Sequence, residues 1–174
     1  HIFTNFDLNL VENESYKSDL SIKVQRTSND TYFKKHDINT ALVNAENTTL
    51  ENEIKYSFAK DNMYLDVATN IYQNLNEKKS SDQYEYILPN IKYGKIFLTE
   101  KFGMINFTSN ALYSKYATNK QKTFLTNDVI WSPSSFITKK GFVNTIEGMV
   151  RNTNYETEKT NEYKDGGAVN EISG

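Results

Sequence analysis

The sequence predicts an all-β protein, an antiparallel meander of about nine long strands. Three observations carry that prediction. Apolar residues recur at every second position in segment after segment, the period of a strand with one covered face. Clusters of Asn, Asp, Lys, Ser and Thr separate these segments, and no amphipathic helical spacing lies between them. Twelve Tyr and ten Phe bring the aromatic share to 13% in a chain of mean hydropathy −0.68. That polar but aromatic-rich mixture suits an ordered sheet with one wet face, since disordered chains are poor in aromatic and β-branched residues.

Taken in order, Phe6, Leu8 and Leu10 alternate with Asn5, Asp7 and Asn9, and Leu20, Ile22 and Val24 alternate with Ser21, Lys23 and Gln25. "ENESYKS" between them makes an antiparallel hairpin the natural first element. A polar stretch with turn-forming Asn29 and Asp30 follows, then a weak strand near Ile38 to Val43. Residues 50–58 place Ile54, Tyr56 and Phe58 on one face and Glu53, Lys55 and Ser57 on the other. Beyond "AKDN", Met63, Leu65, Val67 and Ile71 oppose Tyr64, Asp66, Asn70 and Tyr72 in the same way. Further strands are predicted from Leu88 to Phe97, Gly103 to Tyr113, Phe124 to Trp131 and Gly141 to Arg151. Pro89 lacks a ladder donor, so it belongs at the start of its strand or at a bulge. The closing "YKDGGAVNEISG" reads as a turn or tail.

Composition narrows the function classes. A chain of 174 residues suits one domain. Its net charge of −2, with both signs dispersed, offers no basic track for nucleic acid. Cysteine is absent and the histidines are His1 and His36 alone, which disfavours thiolate chemistry and a histidine zinc site and leaves no cofactor implied. The chain opens on His1 with no charged-then-apolar leader, as expected of a processed or internal stretch. No apolar run approaches the roughly 18 to 20 residues of a spanning helix, so any membrane role falls to strands.

Catalytic constellations are weak. Glu51 and Glu53 share a strand face in the manner of a glycosidase pair, but alternating polar positions on a solvated face demand such residues anyway. His36 stands beside Asp37, yet neighbouring strand residues point to opposite faces, and a loop histidine is the simpler reading. Gly166 and Gly167 lack the strand-then-helix context of a phosphate loop. The sequence presents a surface and no enzyme.

A soluble sandwich and a transmembrane barrel both generate this alternation. Barrel strands need roughly 9 to 11 residues with aromatics gathered at the interfaces. Tyr56 and Phe58, Tyr64 and Tyr72, Tyr84 and Tyr86, Tyr93 and Phe97, and Tyr113 and Tyr116 lie towards strand ends as a girdle requires. A plain preference of Tyr for strands accounts for the same pattern.

Two segments carry a resemblance. "SNDTYFKKHDI", residues 28–38 with Asp30 and Tyr32, resembles the stretch after a barrel strand in the LPS-assembly protein LptD (OstA) family. "YQNLNEKKSSDQYEYILPNIKYGK", residues 72–95, is similar to that family's strand and Tyr-Gln-x-Leu loop at Tyr72, followed by Tyr84 and Tyr86 ahead of Pro89 at the opening of the next strand. "TNKQKTFLTNDVIWSPSSFITKKGFVNTIEGMVRNTNYET" looks like the Asn- and Lys-rich α-proteobacterial versions of the barrel. The likeness runs over roughly residues 5–165.

The resemblance implies a very large antiparallel barrel in the cell outer membrane of a Gram-negative bacterium. It would transport lipopolysaccharide and insert it into the outer leaflet, with an LptE-like plug lipoprotein and a periplasmic LptA-like bridge as partners. Residues 1–174 would form one segment of barrel wall, with neither the family's jellyroll nor the cysteines that tie it to the barrel in many members. The face of Ile54, Tyr56, Phe58, Met63, Leu65 and Val67 is then expected to meet lipid, and the face of Glu53, Lys55, Asp66 and Asn70 to line the lumen. The alternatives are another outer-membrane barrel, such as a porin-like channel, and a secreted β-sandwich that binds glycans.

Overall fold

The computed structural model describes residues 1–37, 46, 48–76, 82–161, 163 and 166–174. The first eight long strands are β1 (Ile2–Glu12), β2 (Tyr16–Arg26), β3 (Thr49–Lys60), β4 (Met63–Asn74), β5 (Tyr84–Thr99), β6 (Gly103–Tyr116), β7 (Gln121–Ser132) and, after a small hairpin of β8 (Phe136–Ile137) and β9 (Val143–Asn144), β10 (Gly148–Glu158). With β11 (Val169–Ser173) they form one nine-stranded sheet in the order β1-β2-β3-β4-β5-β6-β7-β10-β11, antiparallel throughout. The protein is therefore all-β, an open meander that is not closed into a barrel.

Its turns follow from local chemistry. Asn13 Oδ1 accepts from the backbone N–H groups of Ser15 and Tyr16, each at 2.9 Å, and so closes the β1–β2 turn. Asp61 takes the left-handed conformation at φ 46° in the β3–β4 turn, which a short polar side chain tolerates better than most. Turns 13–15, 61–62 and 100–102 lie at one end of the sheet together with the exit of β7 towards β10, and β2 leads to β3, β4 to β5, β6 to β7 and β10 to β11 at the other.

Several expectations need correction. The last segment contains β11, which pairs with β10 from Arg151↔Ser173 to Tyr155↔Val169 and is not a tail. The strand expected at 141–151 divides: Val143 and Asn144 belong to the β8–β9 hairpin, and β10 starts at Gly148 and runs to Glu158. A single helical turn, α1 (Tyr32–His36), occupies the stretch after β2, so His36 ends a helix and is not a loop residue. The strand expected near Ile38 to Val43 lies outside the described residues. Leu10 leaves the alternation because a bulge between Asn9 and Val11 sets Val11 opposite Ser18.

Pro89 does not open its strand. β5 begins at Tyr84, and register shifts between Ile87 and Asn90 on the β6 side and between Ala68 and Asn70 on the β4 side put Leu88 and Pro89 in a bulge inside it. The bulge accommodates the missing donor, because extra residues there stand outside the ladder on both sides.

The fold buries little. Phe33, Leu50 and Ala68 are the buried hydrophobic residues among those described, and Phe33 and Leu50 form a small cluster with Phe3 and Leu75. A sandwich needs a second sheet over the apolar face. Beyond the nine-stranded sheet, the described residues supply only the β8–β9 pair. The large hydrophobics are left exposed on one layer.

Candidate functional site

The candidate site is the sheet itself, whose two faces differ in chemistry. Cross-strand register assigns each paired residue to a face, since partners in an antiparallel ladder point the same way. Ile54 pairs with Thr69, Tyr56 with Val67, Phe58 with Leu65 and Lys60 with Met63, so the six residues expected on one face share it. Ile22 and Leu20 join them from β2, and Ile91 and Tyr93 from β5. Beyond these, Ala111 and Phe107 on β6 and Leu125 and Val129 on β7 continue the apolar stripe.

Aromatic side chains border the stripe at both ends of the strands. Tyr16 and Phe58, whose rings lie 6.1 Å apart, are on the short-turn side with Phe97 and Trp131. Tyr84 and Tyr86, stacked at 6.3 Å, are on the long-connection side with Tyr113. Tyr64, Tyr72 and Tyr116 face the other way and do not belong to either belt.

The opposite face is held by polar pairs between neighbouring strands. Lys23 pairs with Glu51, which also accepts from the Tyr72 hydroxyl at 3.1 Å. Asn70 Nδ2 donates to Glu53 at 2.8 Å, and Lys55 lies 3.7 Å from Asp66. Ser114 donates to Glu85 at 2.7 Å, and Arg151 binds both oxygens of Asp128 at 2.7 and 2.8 Å. Glu53, Lys55, Asp66 and Asn70 thus meet on one face, and the Glu51–Glu53 pair is engaged by Lys23, Tyr72 and Asn70. Exposed pairs of this kind add little stability singly, so their common effect is to hold a polar wall in register.

The separation of faces weakens towards β11. Ser109, Asn127, Asn152, Asn154 and Asn170 lie on the otherwise apolar side. Ser109 donates to Asn127 at 2.8 Å, Asn154 to Asn152 at 2.7 Å and Asn170 to Asn154, so these groups largely satisfy one another. The alternation alone did not single them out, because polar residues at strand positions read as solvated.

The two motif-bearing segments meet at Asp30. Its carboxylate accepts from Gln73 Nε2 and Gln83 Nε2, each at 3.1 Å, and so ties the β2–β3 connection to the end of β4 and the approach to β5. Tyr32 bonds His1 Nε2 at 2.6 Å beside this junction, while Pro89 lies away in its bulge. Gln83 is buried, so Asp30→Ala strands its amide. The substitution should cost about 1–3 kcal/mol locally, read as faster proteolysis of connections 27–48 and 75–83 with the strands intact.

Strand length sets what such a sheet can do. The eight long strands run from 11 to 16 residues, enough to cross a bilayer at the usual tilt. No helix among the described residues is long and apolar enough to do so. No grouping of metal-ligating side chains occurs among them either.

Neither the curated proteins nor the solved structures yield a match to this chain. The family model for LptD, described as LPS transport system D, matches residues 4–173. That span takes in the whole nine-stranded sheet but for its outermost residues, and the chain belongs to the LptD family of the LPS transport system.

Proposed function

We propose that residues 1–174 are a stretch of wall in an outer-membrane barrel that transports lipopolysaccharide and inserts it into the outer leaflet. The observation that carries this reading is the aromatic-bordered apolar face set against a charged, paired face on strands of spanning length. The face of Ile54, Tyr56, Phe58, Met63, Leu65 and Val67 meets lipid. The face of Glu53, Lys55, Asp66 and Asn70 lines an aqueous lumen. An amphiphile crosses such a wall in two parts, its sugars on the polar side and its acyl chains in the apolar medium.

Turns are short on the periplasmic side of outer-membrane barrels and longer outside. Three of the four connections at one end, turns 13–15, 61–62 and 100–102, are two or three residues long beside the longer β7–β10 connection, and that end is read as periplasmic; the end where β2 leads to β3, β4 to β5, β6 to β7 and β10 to β11 is read as the cell exterior. An LptA-like bridge delivers lipopolysaccharide at the first end, and an LptE-like plug meets the polar face from within the lumen. Family membership favours this cargo over that of a porin-like channel.

Depletion of the intact protein tests the reading. Surface-labelled lipopolysaccharide should fall while its synthesis continues. Unchanged surface lipopolysaccharide in depleted cells would refute the proposed transport.

A further inference from the structure

The chain between β7 and β10 leaves the large sheet. Its β8 and β9 pair only with each other among the described residues, Phe136 opposite Asn144 and Ile137 opposite Val143. The tip is closed by its own backbone: Thr138 N–H donates to the Phe142 carbonyl and Gly141 N–H to the Thr138 carbonyl, each at 2.9 Å, and Gly141 supplies the φ of 85° that the turn requires. The root is fixed at the short-turn end of the sheet, where Trp131 Nε1 donates to the Phe102 carbonyl at 2.7 Å and the Ser132 hydroxyl to Glu147 at 3.3 Å.

The side chains of this hairpin are poorly matched to water. Phe136, Ile137, Phe142, Val143 and Ile146 are each more than half exposed. Phe136 and Ile137 are neighbours in β8 and so point to opposite sides of the ribbon. The surface of a protein partner covers one side of such a ribbon, whereas a bilayer interface surrounds both. Charge points to the same medium. Between Pro133 and Ile146 the sequence holds two charged residues, Lys139 and Lys140, both exposed at the tip. Neither forms an ion pair among the described residues. The β5–β6 turn repeats the chemistry next to the root: Leu98 and Phe102 are exposed, and Lys101 Nζ lies 5.5 Å from the centre of the Phe102 ring. Apolar side chains set beside lysines are what holds a segment in the headgroup region of an anionic bilayer. Trp131 of the aromatic border, immediately before the hairpin, places its root at that level.

We infer that the β8–β9 hairpin is an interfacial anchor, which immerses its apolar side chains in the leaflet at the short-turn end and sets Lys139 and Lys140 against anionic phospholipid headgroups. Such an anchor fixes the depth of the sheet in the bilayer at that end. Its position beside a bilayer rests on the wall reading proposed above, and the test separates the two.

Single cysteines at Phe136→Cys, Ile137→Cys and Ile54→Cys carry an environment-sensitive fluorophore in the intact protein, folded into vesicles of phosphatidylcholine or of equal parts phosphatidylcholine and phosphatidylglycerol. In the mixed vesicles the labels at positions 136 and 137 should both be shielded from aqueous acrylamide and both be quenched by lipids spin-labelled near the headgroup. Lys139→Gln and Lys140→Gln should each weaken this insertion about fivefold there, the effect of one lysine at an anionic surface, and should change it little in phosphatidylcholine alone. Labels open to acrylamide, labels shielded on one side of the ribbon only, labels shielded but not quenched by the lipids, or lysine variants that insert like the parent would each overturn the inference. The label at position 54 reports the wall separately. Protection there with an open hairpin removes the anchor alone, whereas an inserted hairpin with position 54 open to water upholds the anchor and removes the wall reading.

Discussion

Ile54→Arg should cost the intact protein about 2–4 kcal/mol of stability in lipid, the penalty of a cation near the bilayer midplane on a barrel's outer face. Ile54 lies midway along β3 and is 54% exposed on the single-layered sheet. In water, a substitution at so exposed a position changes stability by only about 0.5 kcal/mol either way. The size of the effect therefore reports the solvent. Ser57→Arg, on the same strand but on the polar face opposite Asp66, should be nearly neutral. Urea unfolding in lipid vesicles measures both. Equal and small changes at the two positions would contradict a lipid-facing Ile54.

The second large effect is expected at Gly103, where β6 begins. This residue has φ 77°, and a Cβ there would lie 2.6 Å from the Ser132 carbonyl oxygen and from Pro133 Cα. Both neighbours are backbone at the exit of β7 and have little freedom to move aside. The corner is fixed on its other side as well, since Trp131 Nε1 donates to the Phe102 carbonyl at 2.7 Å. Gly103→Ala should cost about 2–4 kcal/mol, of which roughly 1–2 is the left-handed conformation itself. Gly141→Ala provides the comparison: φ is 85° there but nothing lies within 4 Å of the added carbon. It should show only the conformational part. Equal losses at the two glycines would mean that the β5–β6 turn and the β7 exit are not in contact.

The sheet was legible in the sequence wherever one face is apolar and the register unbroken. β3 and β4 pair without a shift from Thr49↔Asn74 to Lys60↔Met63, so a period of two read along either strand puts each residue on the face it occupies. Bulges broke that reading elsewhere. Leu10 and the Leu88–Pro89 pair sit where one strand carries extra residues, and a one-residue slip reverses every later side chain. β11 escaped notice because Val169–Ser173 is five residues long and follows a glycine pair, and its place in the sheet comes only from pairing with β10. The single turn of α1 is too short to show a helical period, and it rests on the burial of Phe33 against Phe3 and Leu50. The partition of Glu53, Lys55, Asp66 and Asn70 from the apolar set was readable for the same reason as β3 and β4. The cavity lined by Asp82, Tyr116 and Thr160 was not, because these residues come from separate connections and strand ends that only the fold of the whole sheet brings together.

The central claim is that one face of this sheet meets lipid and the other water. Single cysteines test it most directly, since the chain has none of its own. In intact outer membranes, Glu53→Cys, Lys55→Cys and Asp66→Cys should react with a water-soluble maleimide. Ile54→Cys, Tyr56→Cys and Leu65→Cys should be protected until the membrane is dissolved in detergent. Alternating reactivity along β3 and β4 is the predicted result; equal reactivity at both sets, or protection of the polar set alone, would contradict the assignment of the faces.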